Sequence, residues 1–271
     1  MRKRKVNIIF IILCSILLIG IIYIWNINMG KSSKQVKETI KFLQQLYDIG
    51  AIESDKVPNA QDIQEIKVSS NGNSTVAYTL KWNNCGVDLD KNYNVIGFLE
   101  QTSTEYGGNI LDKSICIKYA EKYLKKIIDE KFVLKEVIED DNNTEDNYLI
   151  NFYRYHKKHI NYDDVVTLKI SRYSGKIVAY LANDISNINF NTYTKIKAEK
   201  AKSEAKKYLK TLSLNGKIYE DISLGYFNTG ENESTLSYII KYKISNGENK
   251  GKICTIIING KDGSVIRHNI Q

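Results

Sequence analysis

Three stretches of the sequence share one pattern: an apolar run, a tight polar turn and a second apolar run. They are VDLDKNYNVIG at 87–97, LKISRYSGKIV at 168–178 and IIINGKDGSVI at 256–266. The pattern is typical of a β-hairpin, because glycine and asparagine tolerate the positive φ that a tight turn requires. If Asn94, Gly175 and Gly263 hold that position, the hairpins are 81 and 88 residues apart. This spacing predicts an internal repeat.

An amphipathic helix pattern precedes each hairpin, at residues 34–50, 113–130 and 194–212. Gly50 is placed to end the first helix, and Thr194 is placed as the N-cap of the third. Two more runs with strand-like alternation lie between each helix and its hairpin. Each unit is therefore expected to contain one helix followed by four antiparallel strands.

The predicted fold class is α+β, with each helix packed on one face of its own four-stranded antiparallel sheet. Polar, weakly periodic stretches near residues 101–109 and 183–192 indicate the boundaries between units. The three expected units are residues 33–105, 106–190 and 191–271.

An uncharged apolar run precedes the units, at residues 6–25. Twenty helical residues span about 30 Å, which is the thickness of the hydrocarbon core of a bilayer. A cleavable signal peptide is the alternative, but such a peptide has a shorter apolar region and a small-residue cleavage site. The four basic residues of the tail place the N-terminus in the cytoplasm. We therefore expect a cytoplasmic tail (1–5), a single-pass membrane anchor (6–25), a linker (26–32) and an extracytoplasmic body.

The charge of the body argues against a nucleic-acid partner. The formal net charge of the whole chain is +8, but four of the basic residues belong to the tail. The body then has 35 basic and 31 acidic residues, and acidic residues interrupt every basic stretch. The dense stretch KAEKAKSEAKK is interpreted as a solvated helix face. Cys85, Cys116 and Cys254 are too few and too widely spaced for a disulfide framework.

The units resemble PepSY domains, in which an alanine-rich helix precedes strands that end in a V-D-x-x-T-G-x-V turn. The matching turn residues are Asn259, Asp262, Gly263 and Val265 in the last unit, and Ser171, Ser174, Gly175 and Ile177 in the middle unit. The first unit matches through VDLDKNYNVI, with Asn94 in place of the glycine. An anchor followed by tandem PepSY-like units is similar to the YcdB/YcdC and YpeB membrane proteins of Gram-positive bacteria, and also to the YycH/YycI regulators.

Catalytic signatures are absent from the sequence: it contains no HExxH, GxSxG, Walker or dinucleotide-binding motif. The two histidines of HKKH, His156 and His159, could share a metal on a helix, but the flanking sequence predicts a hairpin tip. We therefore expect no catalytic residue, cofactor or metal site.

The stretch INFYRYHKKHINYDD alternates aromatic and cationic residues on a predicted hairpin, and such residues are favoured at protein interfaces. The candidate partner-binding residues are Tyr153, Arg154, Tyr155, His156 and Tyr162. The resemblance implies a non-catalytic, membrane-anchored regulator that binds a cell-envelope protein, such as a peptidase, a cell-wall lytic enzyme or a sensor kinase. The alternative is a cell-envelope hydrolase acting on peptide or wall substrates.

Overall fold

The computed structural model describes residues 33–67, 75–101, 109–139, 147–183, 188–230 and 232–271. The predicted tail, membrane anchor and linker (residues 1–32) lie outside these ranges, as does the predicted boundary at 105/106. Within the described ranges, no helix is both long and apolar enough to cross a membrane.

The described chain contains three α-helices, two short 3-10 helices (Ser54–Lys56 and Ala60–Asp62) and fourteen β-strands, and it is α+β as predicted. The helices are α1 (Lys34–Asp48), α2 (Lys113–Ile127) and α3 (Ala198–Thr211). The strands that follow α1 are β1 (Gln64–Lys67), β2 (Tyr78–Trp82), β3 (Cys85–Leu89) and β4 (Val95–Glu100). Those that follow α2 are β5 (Phe132–Glu139), β6 (Asn147–His156), β7 (His159–Ser171) and β8 (Ile177–Leu181). The others are β9 (Asn189–Asn191), β10 (Gly216–Ile218), β11 (Ser223–Gly230), β12 (Glu233–Ile244), β13 (Ile253–Ile258) and β14 (Val265–Ile270).

One arrangement recurs three times along the described chain: a helix and, after it, four strands that pair antiparallel in chain order; in the third copy the short strand β10, which pairs with β12, lies between the helix and these four strands. These meanders are β1–β4, β5–β8 and β11–β14. Below, α1 with β1–β4 is the first segment, α2 with β5–β8 the second, and α3 with β9–β14 the third. Because β9 pairs with β12, the third segment begins before the predicted boundary at 190/191.

Strand pairing between segments joins the meanders into one sheet. Strand β4 pairs antiparallel with β8, with Gly97 opposite Leu181, so the first two segments form eight continuous strands. The second and third segments share one parallel pair between β7 and β11, Asn161 opposite Tyr226. With so little strand pairing, side-chain contacts must hold the third segment in place.

The first two segments share one hydrophobic core, because α1 and α2 cover the same face of their joint sheet. Leu43 and Leu124 on the helices are fully buried among strand residues such as Val87, Ile150 and Leu168. Each such side chain contributes about 1.5–3 kcal/mol when fully buried.

The third segment has its own core, in which Ala201, Ala205 and Leu209 of α3 face Cys254 and Ile256 of β13. The two alanines let the helix backbone approach the sheet closely. The described residues of both cores all lie between positions 33 and 271, so a body of these residues keeps this packing.

The prediction for the turn of the first hairpin was wrong by one residue. Gly175 and Gly263 have positive φ (67° and 88°), but in the first hairpin Tyr93 has it (71°) and Asn94 does not. The reason is the length of the turn. The Asp90 N–H donates to the carbonyl of Asn94, four residues on, whereas the N–H groups of Ser171 and Asn259 each donate to the carbonyl five residues on. The first turn is one residue shorter.

The predicted N-cap of the third helix was also wrong. Helix α3 begins at Ala198, and its N-cap residue, Lys197, makes no side-chain capping bond. Thr194 is instead tied to the sheet, where its hydroxyl accepts a hydrogen bond from Tyr238 (3.1 Å).

Candidate partner-binding surfaces

The β6–β7 hairpin contains all five predicted partner-binding residues, and it reaches from the second segment to the third. Its tip is the two-residue turn at Lys157 and Lys158, so HKKH lies at a hairpin tip as predicted. Near the tip of β7, Asn161 Oδ1 accepts the Asp163 N–H at 3.3 Å, and the alternation of buried residues is interrupted. Strand β6 has a bulge opposite this point, between Tyr153 and Tyr155.

Tyr162 is packed against the third segment. Its ring stacks on Phe227 with centroids 5.0 Å apart and planes 3° from parallel, and Arg267 lies over the Phe227 ring at 4.8 Å. A Cβ atom added to Gly225 would collide with the ring of Tyr162. The missing side chain at Gly225 therefore lets the ring approach the β11 backbone.

His156 also contacts the third segment. It stacks face to face on Phe190, with centroids 3.7 Å apart, and meets the edge of Tyr226 at 5.1 Å. Burial, and secondly Lys157, lower the pKa of His156, so its neutral form is favoured. The imidazole is therefore a packing group, and of the four residues of HKKH the two lysines are the exposed ones.

Asp163 adds a polar link between the same segments. Its carboxylate accepts one hydrogen bond from Arg267 Nη1 (3.0 Å) and one from the Asn228 N–H (2.7 Å). Together with Tyr162 and His156, it forms what we call the junction between the second and third segments.

Arg154 is a correction to the predicted surface. It is buried and donates two hydrogen bonds to Asp164, Nε to Oδ2 at 2.7 Å and Nη2 to Oδ1 at 2.9 Å. Nη2 also donates to the Asn183 carbonyl (2.9 Å). A guanidinium held on three acceptors inside the protein is not presented to a partner.

Tyr153 and Tyr155 remain half-buried at the surface. Tyr153 lies between Tyr162 and the ammonium group of Lys135, which is 5.4 Å from its ring. Tyr155 lines a cleft of about 450 Å³, together with Lys125, Ile128, Asp129, Glu130, Lys131 and Phe132. Of the five predicted residues, these two take no part in the buried ion pair of Arg154 or in the ring stacks of His156 and Tyr162 on the third segment.

A second surface was not found by sequence reasoning. Leu99 on β4 and Leu181 on β8 are 55% and 59% exposed, although both lie within strands. The register places them diagonally on one face, opposite the face that buries Phe98 and Tyr180. We call this face, with Ala179 and Thr167 beside the leucines, the open sheet face. No described helix covers it.

The three described cysteines are buried. Burial raises the pKa of the Cys85 thiol to about 11 and also raises those of Cys116 and Cys254. Thiols of this kind are poor nucleophiles. His268 is hydrogen-bonded through Nδ1 to the Tyr208 hydroxyl at 2.9 Å. The described residues contain no group of three potential metal ligands.

Comparison with known proteins reveals a shared fold. No protein-family model matches the chain, and no curated protein matches it. The C-terminal domain of YpeB from Bacillus megaterium superposes with a TM-score of 0.52 and 20% identity, over 84% of this chain and 95% of that domain. A predicted lipoprotein of Clostridium difficile 630 aligns with a TM-score of 0.22 and 14% identity, over 61% of this chain and 97% of that chain. The described body therefore has the fold of the YpeB C-terminal domain.

Proposed function

We propose that this protein is a membrane-anchored, extracytoplasmic regulator of PepSY type, which binds a cell-envelope protein and is not itself an enzyme. The observation on which the proposal depends is that the body offers an exposed apolar sheet face at Leu99 and Leu181. Its described thiols are buried, and the ring of His156 is stacked on Phe190. The likeness to the YpeB domain supports the proposal at the level of fold.

The three turns support the interpretation of the segments as three PepSY-like units. In each turn one polar side chain accepts the N–H two residues on: Asp90 from Asn92 (2.8 Å), Ser171 from Tyr173 (3.3 Å) and Asn259 from Lys261 (2.8 Å). In an alignment of the three turns, the acceptors Asp90, Ser171 and Asn259 correspond to the aspartate of the V-D-x-x-T-G-x-V pattern. Asx- and Ser-turns of this kind fix a hairpin without requiring a single residue type.

The partner would bind on the open sheet face. Leu99 and Leu181 form an exposed apolar pair, and apolar side chains surrounded by polar ones are typical of protein contact sites. The partner classes that the resemblance implies are a peptidase, a cell-wall lytic enzyme and a sensor kinase.

The rival function, a hydrolase of the envelope, is tested with the purified body, residues 33–271. We expect no turnover of peptidoglycan or casein, with or without Zn²⁺. Hydrolysis that one substitution of a Ser, Cys, His or acidic residue abolishes would contradict the proposal.

The predicted topology is tested in intact cells by thiol labelling of Ser33→Cys and His268→Cys. Cys85, Cys116 and Cys254 are buried, so their own labelling is expected to be weak. Both new thiols should react with a membrane-impermeant reagent before lysis. Labelling only after lysis, or release of the body into the medium, would contradict the anchored, outward-facing arrangement.

A further inference from the structure

Helix α3 presents a face of lysines to solvent. Residues 195–217 contain eight lysines and two acidic residues, Glu199 and Glu204. Each glutamate is paired with one lysine of the helix, Lys202 at 2.8 Å and Lys207 at 3.0 Å. The exposed lysines of the helix and its N-cap, which we call the lysine face, are Lys197, Lys200, Lys206, Lys207 and Lys210.

The opposite side of the same helix is occupied by the core. Ala201, Ala205 and Leu209 are buried against β13, so the orientation of α3 is fixed and its lysines cannot turn inward. The lysine face contains no exposed large apolar side chain. Such a surface suits diffuse electrostatic attraction, because protein interfaces are depleted of lysine and depend on aromatic and apolar anchors.

Charge is also distributed unevenly along the body. Residues 33–105 contain seven basic and ten acidic residues, whereas residues 191–271 contain 14 basic and eight acidic residues. An extended anionic surface would therefore attract the third segment and repel the first, which would orient the body.

We infer that the lysine face of α3 binds the anionic phosphate headgroups of a membrane surface. This choice of occupant depends on the proposed anchoring: a linker of seven residues (26–32) spans at most about 25 Å, so it keeps the body close to the bilayer. A lysine close to an anionic bilayer strengthens binding to it roughly fivefold, and salt screens this attraction. With α3 on the membrane, the body is held in one orientation while the open sheet face binds the envelope partner.

The test uses the body, residues 33–271, which contains both cores. Its sedimentation is measured with vesicles of phosphatidylcholine alone and with vesicles that also contain phosphatidylglycerol. We expect binding to the anionic vesicles only, and loss of that binding as salt rises from about 0.05 to 0.5 M.

Two triple variants of equal net charge test whether vesicle binding depends on the lysine face or only on the total charge of the body. Lys200→Gln, Lys206→Gln and Lys210→Gln together should weaken vesicle binding by on the order of 100-fold. The control, Lys81→Gln, Lys91→Gln and Lys118→Gln, removes three exposed lysines outside α3 and should weaken it much less. Thermal melts should show that both variants remain folded, because all six side chains are exposed.

The inference is overturned if the wild-type body sediments with neither type of vesicle, or if both triple variants lose binding equally. Retention on immobilised polyphosphate without sedimentation on anionic vesicles would also overturn it, since the ligand would then be a soluble polyanion. These outcomes are distinct from failure of the proposed function, which is detected by hydrolysis or by thiol labelling at other residues.

Discussion

Arg154 and Asp164 form an ion pair with two hydrogen bonds on neighbouring strands of the second segment, and both side chains are buried. Burial raises the pKa of the Asp164 carboxyl group, and the guanidinium of Arg154 opposes that shift. Tyr180, which belongs to the core shared by the first two segments, interacts electrostatically with both groups. The sequence Tyr-Arg-Tyr is typical of a protein surface, but in this pair its arginine is buried.

Removing one partner of this pair should be strongly destabilising. Arg154→Met leaves Asp164, which is 1% exposed, without its cation, and we expect a loss of about 3–5 kcal/mol in the free energy of unfolding. The double variant Arg154→Met, Asp164→Leu should recover most of that loss. Lys261→Met, which breaks the exposed pair with Glu233, is the control and should cost less than about 1 kcal/mol. Equal costs in urea unfolding for Arg154→Met and Lys261→Met would contradict the assignment.

The His156 stack predicts a pH dependence of stability. The pKa of folded His156 is lowered, so below about pH 6.5 the unfolded chain binds more protons than the folded chain. Folding stability should therefore fall as pH decreases from about 7, until folded His156 also becomes protonated. His156→Phe keeps an aromatic ring on Phe190 and should remove this part of the dependence. Unfolding free energies measured from about pH 5 to pH 7.5 check this, and an unchanged slope in the variant would refute it.

The turn glycines should differ in their tolerance of a side chain. At Gly175 a Cβ would lie 2.8 Å from two ring atoms of Tyr119, whereas at Gly263 the nearest atom, Ile196 Cδ1, is 3.5 Å away. We expect Gly175→Ala to cost more than about 2 kcal/mol, since it combines a clash with positive φ, and Gly263→Ala to cost about 1 kcal/mol. Gly86→Ala, where the nearest atom is 3.7 Å away, should stay within about 0.5 kcal/mol of wild type. If thermal melts show equal losses of stability for Gly86→Ala and Gly263→Ala, the positive φ of Gly263 does not determine the cost of adding a side chain.

The junction should depend on Tyr162. Tyr162→Ala removes the ring that packs on Phe227 and over Gly225, and we expect a loss of about 2–3 kcal/mol. Tyr193→Ala, at a residue that is 62% exposed, is the matched control and should cost about 0.5 kcal/mol or less. If chemical unfolding shows similar losses for both variants, Tyr162 does not hold the second and third segments together.

Local sequence patterns predicted the elements well because helix and strand periodicity depends on near neighbours. The three helices and the closing hairpins were found from spacing alone, and Gly175 and Gly263 have the predicted positive φ. At Asn94 the prediction failed because the first turn is one residue shorter, a difference that the flanking apolar runs do not reveal.

The candidate surfaces were harder to predict because they depend on pairing between distant strands. Alternating aromatic and cationic residues suggested an exposed hairpin, but Asp164 ten residues away allows Arg154 to be buried. Leu99 and Leu181 are neighbours only because β4 pairs with β8, and no local pattern encodes that register. The segment that appeared most suited to an external partner is largely occupied by the third segment of its own chain.

The most direct test of the proposed function is site-specific photocrosslinking in intact cells at position 181, with the photoreactive group replacing Leu181. We expect a discrete adduct containing one envelope protein, lost when Leu99→Asp is added on the same face. We expect no such adduct from the same group at Lys250, which is exposed on the third segment. An adduct that forms equally at both positions, or none at position 181 in a protein that is folded and anchored, would contradict the claim that the open sheet face binds an envelope partner.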